Sequence, residues 1–325
     1  MGEFDRIPVI DLAPLSDPAG AGIDRLCADI LAAYGTVGFG YLVNHGIEPA
    51  LIDGVFDASA RFHALPRAEK MKVELNAIHR GFIPINTSTD RNSKLAKVTK
   101  PNQSESFMVM REAGPDKAEV RAGAYLAGPN QWPEELPGFR AAVTAYDDTL
   151  SGLAGKLVRV IARALGADVA DFAAAFDPPT TWLRLLHYPP QPPASPDDLF
   201  GSAPHTDFGC ITLLAQDGVG GLKVMTPAGV WVDAPPLAGS FVMNVGDMLH
   251  RWSNGRLLST PHRVINRSGR ERYSCPFFYD PNVSAEIAPL PSCSGPGNPP
   301  RFAPQVFGEF LRAELEASYQ KHAKG

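Results

Sequence analysis

The sequence predicts a mixed α/β fold: helices and short strands come first, a β-sandwich or barrel of jelly-roll type follows, and one more helix closes the chain. Three observations predict it. After Pro178 at least seven short strand-forming runs alternate with turn residues. Before Pro178 the dominant pattern is apolar residues at helical spacing. The 31 prolines and 30 glycines are dispersed, which suits many turns and not a low-complexity tail.

Taken in order, "IPVIDL" (7–12) reads as a short strand. Residues 21–35 predict a helix whose inward stripe is Ile23, Leu26, Ile30, Leu31 and Tyr34. "GFGYLVNHG" (38–46) is a strand bounded by glycines, and 48–65 is a second helix ended by Pro66. The stretch 79–110 has mixed polarity and no period; the segment 86–106 within it reads as an exposed loop. A long amphipathic helix is expected around 137–166 and a short one over 168–175. Strands then follow at "WLRLLHY", "CITLLAQ", "GLKVMT", "VWVDA", "SFVMNVG", "PHRVIN" and "RYSCPFFY". The turn residues at 227–229 and 267–270 are expected to close hairpins. A helix over 304–322 ends the chain, and no internal repeat is present.

Composition narrows the function. Hydrophobic residues make up 44% of the 325 residues and charged residues 20%, as in globular proteins with a sizeable core. The formal net charge is -5 with no Lys/Arg block, which argues against a nucleic-acid partner or a polybasic membrane anchor. The N-terminus has no apolar signal core and no run is long enough to span a bilayer. Four scattered cysteines (Cys27, Cys210, Cys275, Cys293) form no C-x-x-C pair, so free thiols in a reducing cytoplasm are expected.

The chemistry concentrates in "PHTDFGCITLLAQD". His205 and Asp207 are two residues apart, and on a strand such residues point to one face. They can reach one ion together, with His262 or His250 as the third ligand. Two imidazoles and a carboxylate form the facial triad, which leaves positions open on a non-haem Fe(II). Taken alone the pair also reads as an N-capping Asp beside a surface His. Farther on, Arg272 and Ser274 share a face of the next strand. A guanidinium with a neighbouring hydroxyl is a natural clamp for a carboxylate.

The stretch from "PHTDFGCITLLAQDG" to "STPHRVINRSGRERYSCPFFYDP" resembles the C-terminal half of the isopenicillin N synthase-like family of Fe(II)/2-oxoglutarate-dependent dioxygenases. "IPVIDLAPL" and "GFGYLVNHGI" resemble that family's N-terminal region. The motif set is an H-x-D, a distal His, then R-x-S ten residues on. The resemblance implies a double-stranded β-helix (jelly-roll) core flanked by N-terminal helices and a C-terminal helix. It implies His205, Asp207 and His262 as iron ligands, and Arg272 and Ser274 as the clamp on the C5 carboxylate of 2-oxoglutarate. Tyr188 matches the tyrosine that helps hold the co-substrate, while Leu186 replaces the family's usual Asn. Phe278 matches a position that lines the substrate pocket, although a core phenylalanine reads equally well. An N-terminal region over 1–125 and a core over 126–325 are expected to form one compact unit.

The implied activity uses Fe(II), 2-oxoglutarate and O₂. It couples decarboxylation to succinate and CO₂ with hydroxylation, desaturation or ring closure of a small organic substrate. Three rivals remain open: a family oxidase that uses no 2-oxoglutarate, an ethylene-forming enzyme, and a non-catalytic jelly-roll binding protein. Oligomeric state is not legible.

The other candidates take blander readings. His45 is expected to close a strand, His63 and His79 to be solvated, and His187 to face away from Tyr188. Cys210 and Cys275 read as small core residues. "GVGGLKV" lacks the Lys-Ser/Thr of a phosphate loop and reads as a hairpin turn with close backbone approach. The basic 86–106 loop, with Arg91, Lys94, Lys97 and Lys100, could be a lid or a solvated face.

Overall fold

The computed structural model describes residues 4–88, 98–196 and 198–318. Its strands are β1 (Val9–Asp11), β2 (Phe39–Val43), β3 (Gly81–Ile83), β4 (Glu105–Met110), β5 (Thr180–Tyr188), β6 (Ser202–His205) and β7 (Ile211–Gln216), then β8 (Leu222–Met225), β9 (Trp231–Asp233), β10 (Phe241–Val245), β11 (His262–Val264), β12 (Arg272–Asp280), β13 (Glu286–Ile287) and β14 (Gln305–Val306). The α-helices are α1 (Gly22–Thr36), α2 (Pro49–His63), α3 (Arg67–Met71), α4 (Ala118–Arg121), α5 (Phe139–Leu165), α6 (Val169–Ala174), α7 (Asp247–Trp252) and α8 (Phe307–Ser318).

Helical periodicity decides the helix layer. In α5, Phe139, Val143, Tyr146, Leu150, Leu157, Ile161 and Leu165 form one buried stripe. The helix ends where Gly166 takes a left-handed φ of 71°, a conformation glycine adopts without penalty. Pro49 opens α2, where its missing N–H is not needed. Helices α1, α2 and α6 pack on α5, and α2 also lies against β5 and β12.

Two sheets stack beside this layer. The larger has the order β1-β2-β10-β7-β12-β5-β4-β3, and the smaller β6-β11-β8-β9. All pairings are antiparallel except β1 with β2. Strands from both ends of the chain therefore share one sheet. One apolar cluster fills the space between the large sheet and the helices. A second, containing Phe39, Leu186, Tyr188, Leu222, Val224 and Val264, lies between the two sheets.

Several expectations need correction. The aperiodic stretch 79–110 contains β3 and β4, and every residue of both is buried. A strand covered on both faces loses its polar alternation, which removed the sequence signal. The turn at 267–270 closes no hairpin: β11 pairs with β6 and β8, whereas β12 pairs with β5 and β7. It carries the chain from the small sheet to the large one. "GVGGLKV" makes the same kind of crossing, from β7 to β8. The close approach there is real, because a Cβ on Gly221 would lie 2.5 Å from the Ile265 carbonyl oxygen. The 227–229 turn does close the β8–β9 hairpin. Residues 89–97, with Arg91, Lys94 and Lys97, and 319–325 lie outside the described residues.

Candidate active site

Cross-strand register assembles the site. His205 ends β6 and His262 begins β11, and the two are directly paired across the small sheet. Opposed residues on one face lie within side-chain reach, and the two ring centroids are 4.3 Å apart. Asp207 follows where the chain leaves β6, and its Oδ1 lies 3.7 Å from Nε2 of each histidine. The three potential ligand atoms lie within 4.8 Å of one another. Among the described residues they are the group that could hold a metal ion.

Neighbouring groups aim these three side chains. Nδ1 of His205 donates to the Ala203 carbonyl at 2.7 Å, so Nε2 keeps its lone pair for the site. Nδ1 of His262 faces the Thr260 carbonyl at 3.4 Å. Oδ2 of Asp207 accepts from Asn244 Nδ2 at 2.7 Å and from the Thr212 hydroxyl, which leaves Oδ1 turned to the histidines. Burial works against ionising this carboxyl, but His262, His205 and the two hydrogen bonds hold its pKa below the ordinary range. Asp247 accepts from Thr206 at 3.2 Å and Ser259 at 2.6 Å, tying together the segments that carry His205 and His262. The Asp247 backbone N–H also donates to the Asp207 carbonyl at 2.8 Å. Asn244, Thr212 and Asp247 went unnoticed in the sequence because their roles depend on pairing between distant strands.

The wall facing this triad is one face of β5 and β12. Arg272 pairs with Tyr188, Ser274 with Leu186, and Phe278 with Trp182. Period-2 alternation sends Trp182, Arg184, Leu186 and Tyr188 to the same side. One cavity holds the triad together with Arg272, Ser274, Tyr188, Leu186 and Phe278. An adjoining cavity shares Arg184, Ser202, His205, Asp207 and Phe278 with it and extends to Met108, Trp182, Phe208 and Leu315. Ser88 and Asn102 also line this outer cavity. Phe278 is half-buried: it lines both cavities and also packs against the main apolar core. Asp280 stands at the outer wall, where it accepts from Trp182 Nε1 at 2.9 Å and the Cys210 N–H at 2.7 Å. Burial pushes its carboxyl up to about 7.

Arg272 is completely buried. Its Nε donates to the Gly220 carbonyl, its terminal nitrogens reach the Ser274 hydroxyl and Gln216 Oε1 at 3.3 Å, and it lies 4.5 Å over the Tyr188 ring. Among the described residues it makes no ion pair with a carboxylate. A buried cation needs charge compensation, and an anion in the cavity that Arg272 lines would supply it. The donor set therefore fits a divalent metal beside a carboxylate ligand.

The remaining histidines stand elsewhere. His250 sits on α7 and donates to the Leu257 carbonyl at 2.6 Å, outside the triad. His45 lies just past β2, half-buried against Phe241. His79 is half-buried rather than solvated. His63 is buried, contrary to expectation: Nδ1 donates to the Ser59 carbonyl at 2.8 Å and the ring packs 5.2 Å from His187. His187 does point away from Tyr188, toward buried Glu105 and Lys70 on one side and the exposed Glu271 on the other. All four cysteines are buried and free.

Comparison with known proteins bears on this geometry. The 2OG-Fe(II) oxygenase superfamily profile matches residues 179–281, and the profile of the non-haem dioxygenase in morphine synthesis N-terminal region matches 7–135. The 2-oxoglutarate-Fe(II) type oxidoreductase hxnY of Emericella nidulans is 36% identical over 319 residues, covering 96% of this chain and 90% of that protein. Homoarginine-6-hydroxylase 2-ODD-C23.1 of Arabidopsis thaliana is 32% identical, with 98% of each chain covered. A full-length Neurospora crassa protein, solved in complex with alpha-KG (2-oxoglutarate) and thymine, superposes with a TM-score of 0.86 at 30% identity over 98% of this chain and 99% of that one. With its jelly-roll core and His-Asp-His triad, the chain belongs to the Fe(II)/2-oxoglutarate-dependent oxygenases, which couple decarboxylation of 2-oxoglutarate to oxidation of a small organic substrate.

Proposed function

We propose that His205, Asp207 and His262 hold the Fe(II), that Arg272 with Ser274 and Tyr188 holds the C5 carboxylate of 2-oxoglutarate, and that Phe278 borders the substrate. The observation that carries the reading is a pairing within one cavity. Three convergent metal ligands face a fully buried guanidinium that lacks a carboxylate of its own among the described residues. When bound, Fe(II) with 2-oxoglutarate and O₂ supplies an oxidant able to break an unactivated C–H bond.

The protein supplies position and exclusion of water. Asn244 and Thr212 fix Asp207, and the Ala203 carbonyl fixes the His205 tautomer. Ser274 and the Tyr188 ring preset Arg272 for an anion. Leu186, Val264 and Phe278 give the cavity apolar walls, which keep water from competing inside it. The substrate is a small organic molecule, consistent with the thymine bound by the Neurospora crassa neighbour. A net charge of -5 without a basic block speaks against nucleic acid. Among the described residues no helix is long and apolar enough to cross a membrane. Four free, buried cysteines suit a reducing cytoplasm.

The test uses purified protein with Fe(II) and 2-oxoglutarate, reading succinate release against O₂ uptake and metal binding by calorimetry. His262→Ala should lose Fe(II) binding and bring turnover to background, while His250→Ala keeps most of both. Reversed effects would overturn the ligand assignment.

A further inference from the structure

The site contains a second cation that the co-substrate clamp does not use. Arg184 lies in mid-β5, and its register partner on β4 is Met108. It borders both cavities, between the metal triad and the aromatic outer wall. One terminal nitrogen donates to the Ser106 hydroxyl at 3.0 Å. Its Nε is buried and has no hydrogen-bond partner among the described residues. The carboxylates lining these cavities are Asp207 and Asp280, and each is engaged elsewhere: Asp207 with the histidines, Asn244 and Thr212, Asp280 with Trp182 and the Cys210 N–H. Arg184 makes no ion pair among the described residues.

Arg272 and Arg184 occupy separate stations on one wall. Arg272 is paired with Tyr188, four residues along β5 from Arg184, a separation of roughly 13 Å at about 3.3 Å per residue. A guanidinium in a half-buried cavity that has, among the described residues, a hydroxyl but no carboxylate as partner is under-compensated, and its fork matches a carboxylate. Around it, Trp182, Phe278, Phe208, Met108 and Leu315 offer an apolar, mostly aromatic surface.

Resting on the oxygenase reading above, we propose that Arg184 binds a carboxylate on the substrate. The substrate class is then a small carboxylic acid with an apolar or aromatic body, its acid group held on Arg184 and its body lying along the Trp182–Phe278 wall. A substrate carbon near the anchored acid is thereby presented to the metal triad.

The experiment is calorimetry under nitrogen on the protein loaded with Fe(II) and 2-oxoglutarate. The probes are benzoic, phenylacetic, cinnamic and cyclohexanecarboxylic acids, each against its primary amide. At least one acid should bind about tenfold or more tightly than its amide, the range for loss of a charge-assisted bond. Arg184→Met should weaken that acid by a similar factor, and Arg184→Lys should recover part of the loss. If no acid outbinds its amide, or if Arg184→Met binds the acids as tightly, the proposal is wrong. If Arg184→Met instead weakens 2-oxoglutarate itself, titrated with no acid present, the guanidinium serves the co-substrate and the proposal also falls. Wild-type protein that binds neither Fe(II) nor 2-oxoglutarate would refute the oxygenase reading, and this inference with it.

Discussion

Arg272 and Lys70 are both buried cations, one on each face of the large sheet, and they differ in where their counter-charge comes from. Lys70 binds Glu105 at 2.8 and 2.9 Å, and Glu105 also accepts from His187 at 2.9 Å. His187 bonds onward to Glu271, stacks on Tyr273 with ring centroids 4.9 Å apart, and packs against His63. That side is electrostatically closed by the chain itself. On the cavity side, one residue away along each strand, Arg272 meets, among the described residues, carbonyl oxygens, a hydroxyl and the Tyr188 ring. The difference teaches how to sort buried charge. A cation with its own acid holds the sheet together, whereas one without it waits for a ligand.

The strongest way to break this comparison is Glu105→Ala. Removing one partner of a buried pair leaves Lys70 uncompensated and should cost about 3–5 kcal/mol in urea denaturation. A loss near zero would show that the back-face cluster is not structural. Arg272→Leu comes next and should act on function more than on folding. The 2-oxoglutarate KM should rise roughly tenfold or more, because a charge-assisted bond contributes about 1.5–3 kcal/mol. Stability without ligand should fall less than in Glu105→Ala. The opposite ranking in denaturation would erase the distinction between the two cations.

The smallest effect is on pH dependence, and it sharpens the picture of the closed side. Burial opposes charge on His187, but hydrogen bonds to Glu105 and Glu271 hold its pKa above the ordinary value of 6.5. A raised pKa adds stability that is full below 6.5 and is lost as pH rises through the folded value. Glu105 works in the other direction. Burial would raise its pKa, yet the His187 and Lys70 bonds lower it to about 2 from 4.5, so its stabilisation is lost as pH falls from 4.5 toward 2. Burial likewise holds His63 neutral, with its pKa lowered to about 3. Stability measured by urea denaturation should therefore decline on both sides of a maximum near neutral pH. His187→Gln should flatten the decline above pH 6.5, and an unchanged alkaline limb would remove His187 from the charged network.

The sequence alone determined a good deal. Strand alternation put Arg272 with Ser274 on β12, because a period of two is a local property of the backbone. It does not account for Asp207, which lies beyond the end of β6, so the loop after the strand and not its alternation brings that carboxylate to His205. Helical periodicity located α1, α2 and α5 to within two or three residues, since an amphipathic stripe is also local. The preference for His262 over His250 came from family resemblance, and the direct His205–His262 pairing on β6 and β11 gives it a physical basis.

Tertiary structure decided the rest. The residues of 267–270 predict a reversal, but turn chemistry does not say which sheet receives the next strand, so the expected hairpin is a crossing between sheets. β4 was invisible because every one of its residues is buried, which erases the polar alternation. His63 looked solvated on an amphipathic helix; Ser59, His187 and Tyr273 bury it, and the last two are more than a hundred residues away. Arg184 read as one more polar residue in a strand until its register with Met108 of β4 set it in the cavity wall. A strand's period can be read from the chain, but what each face meets is fixed by which distant strands it pairs with, and that pairing leaves no local mark.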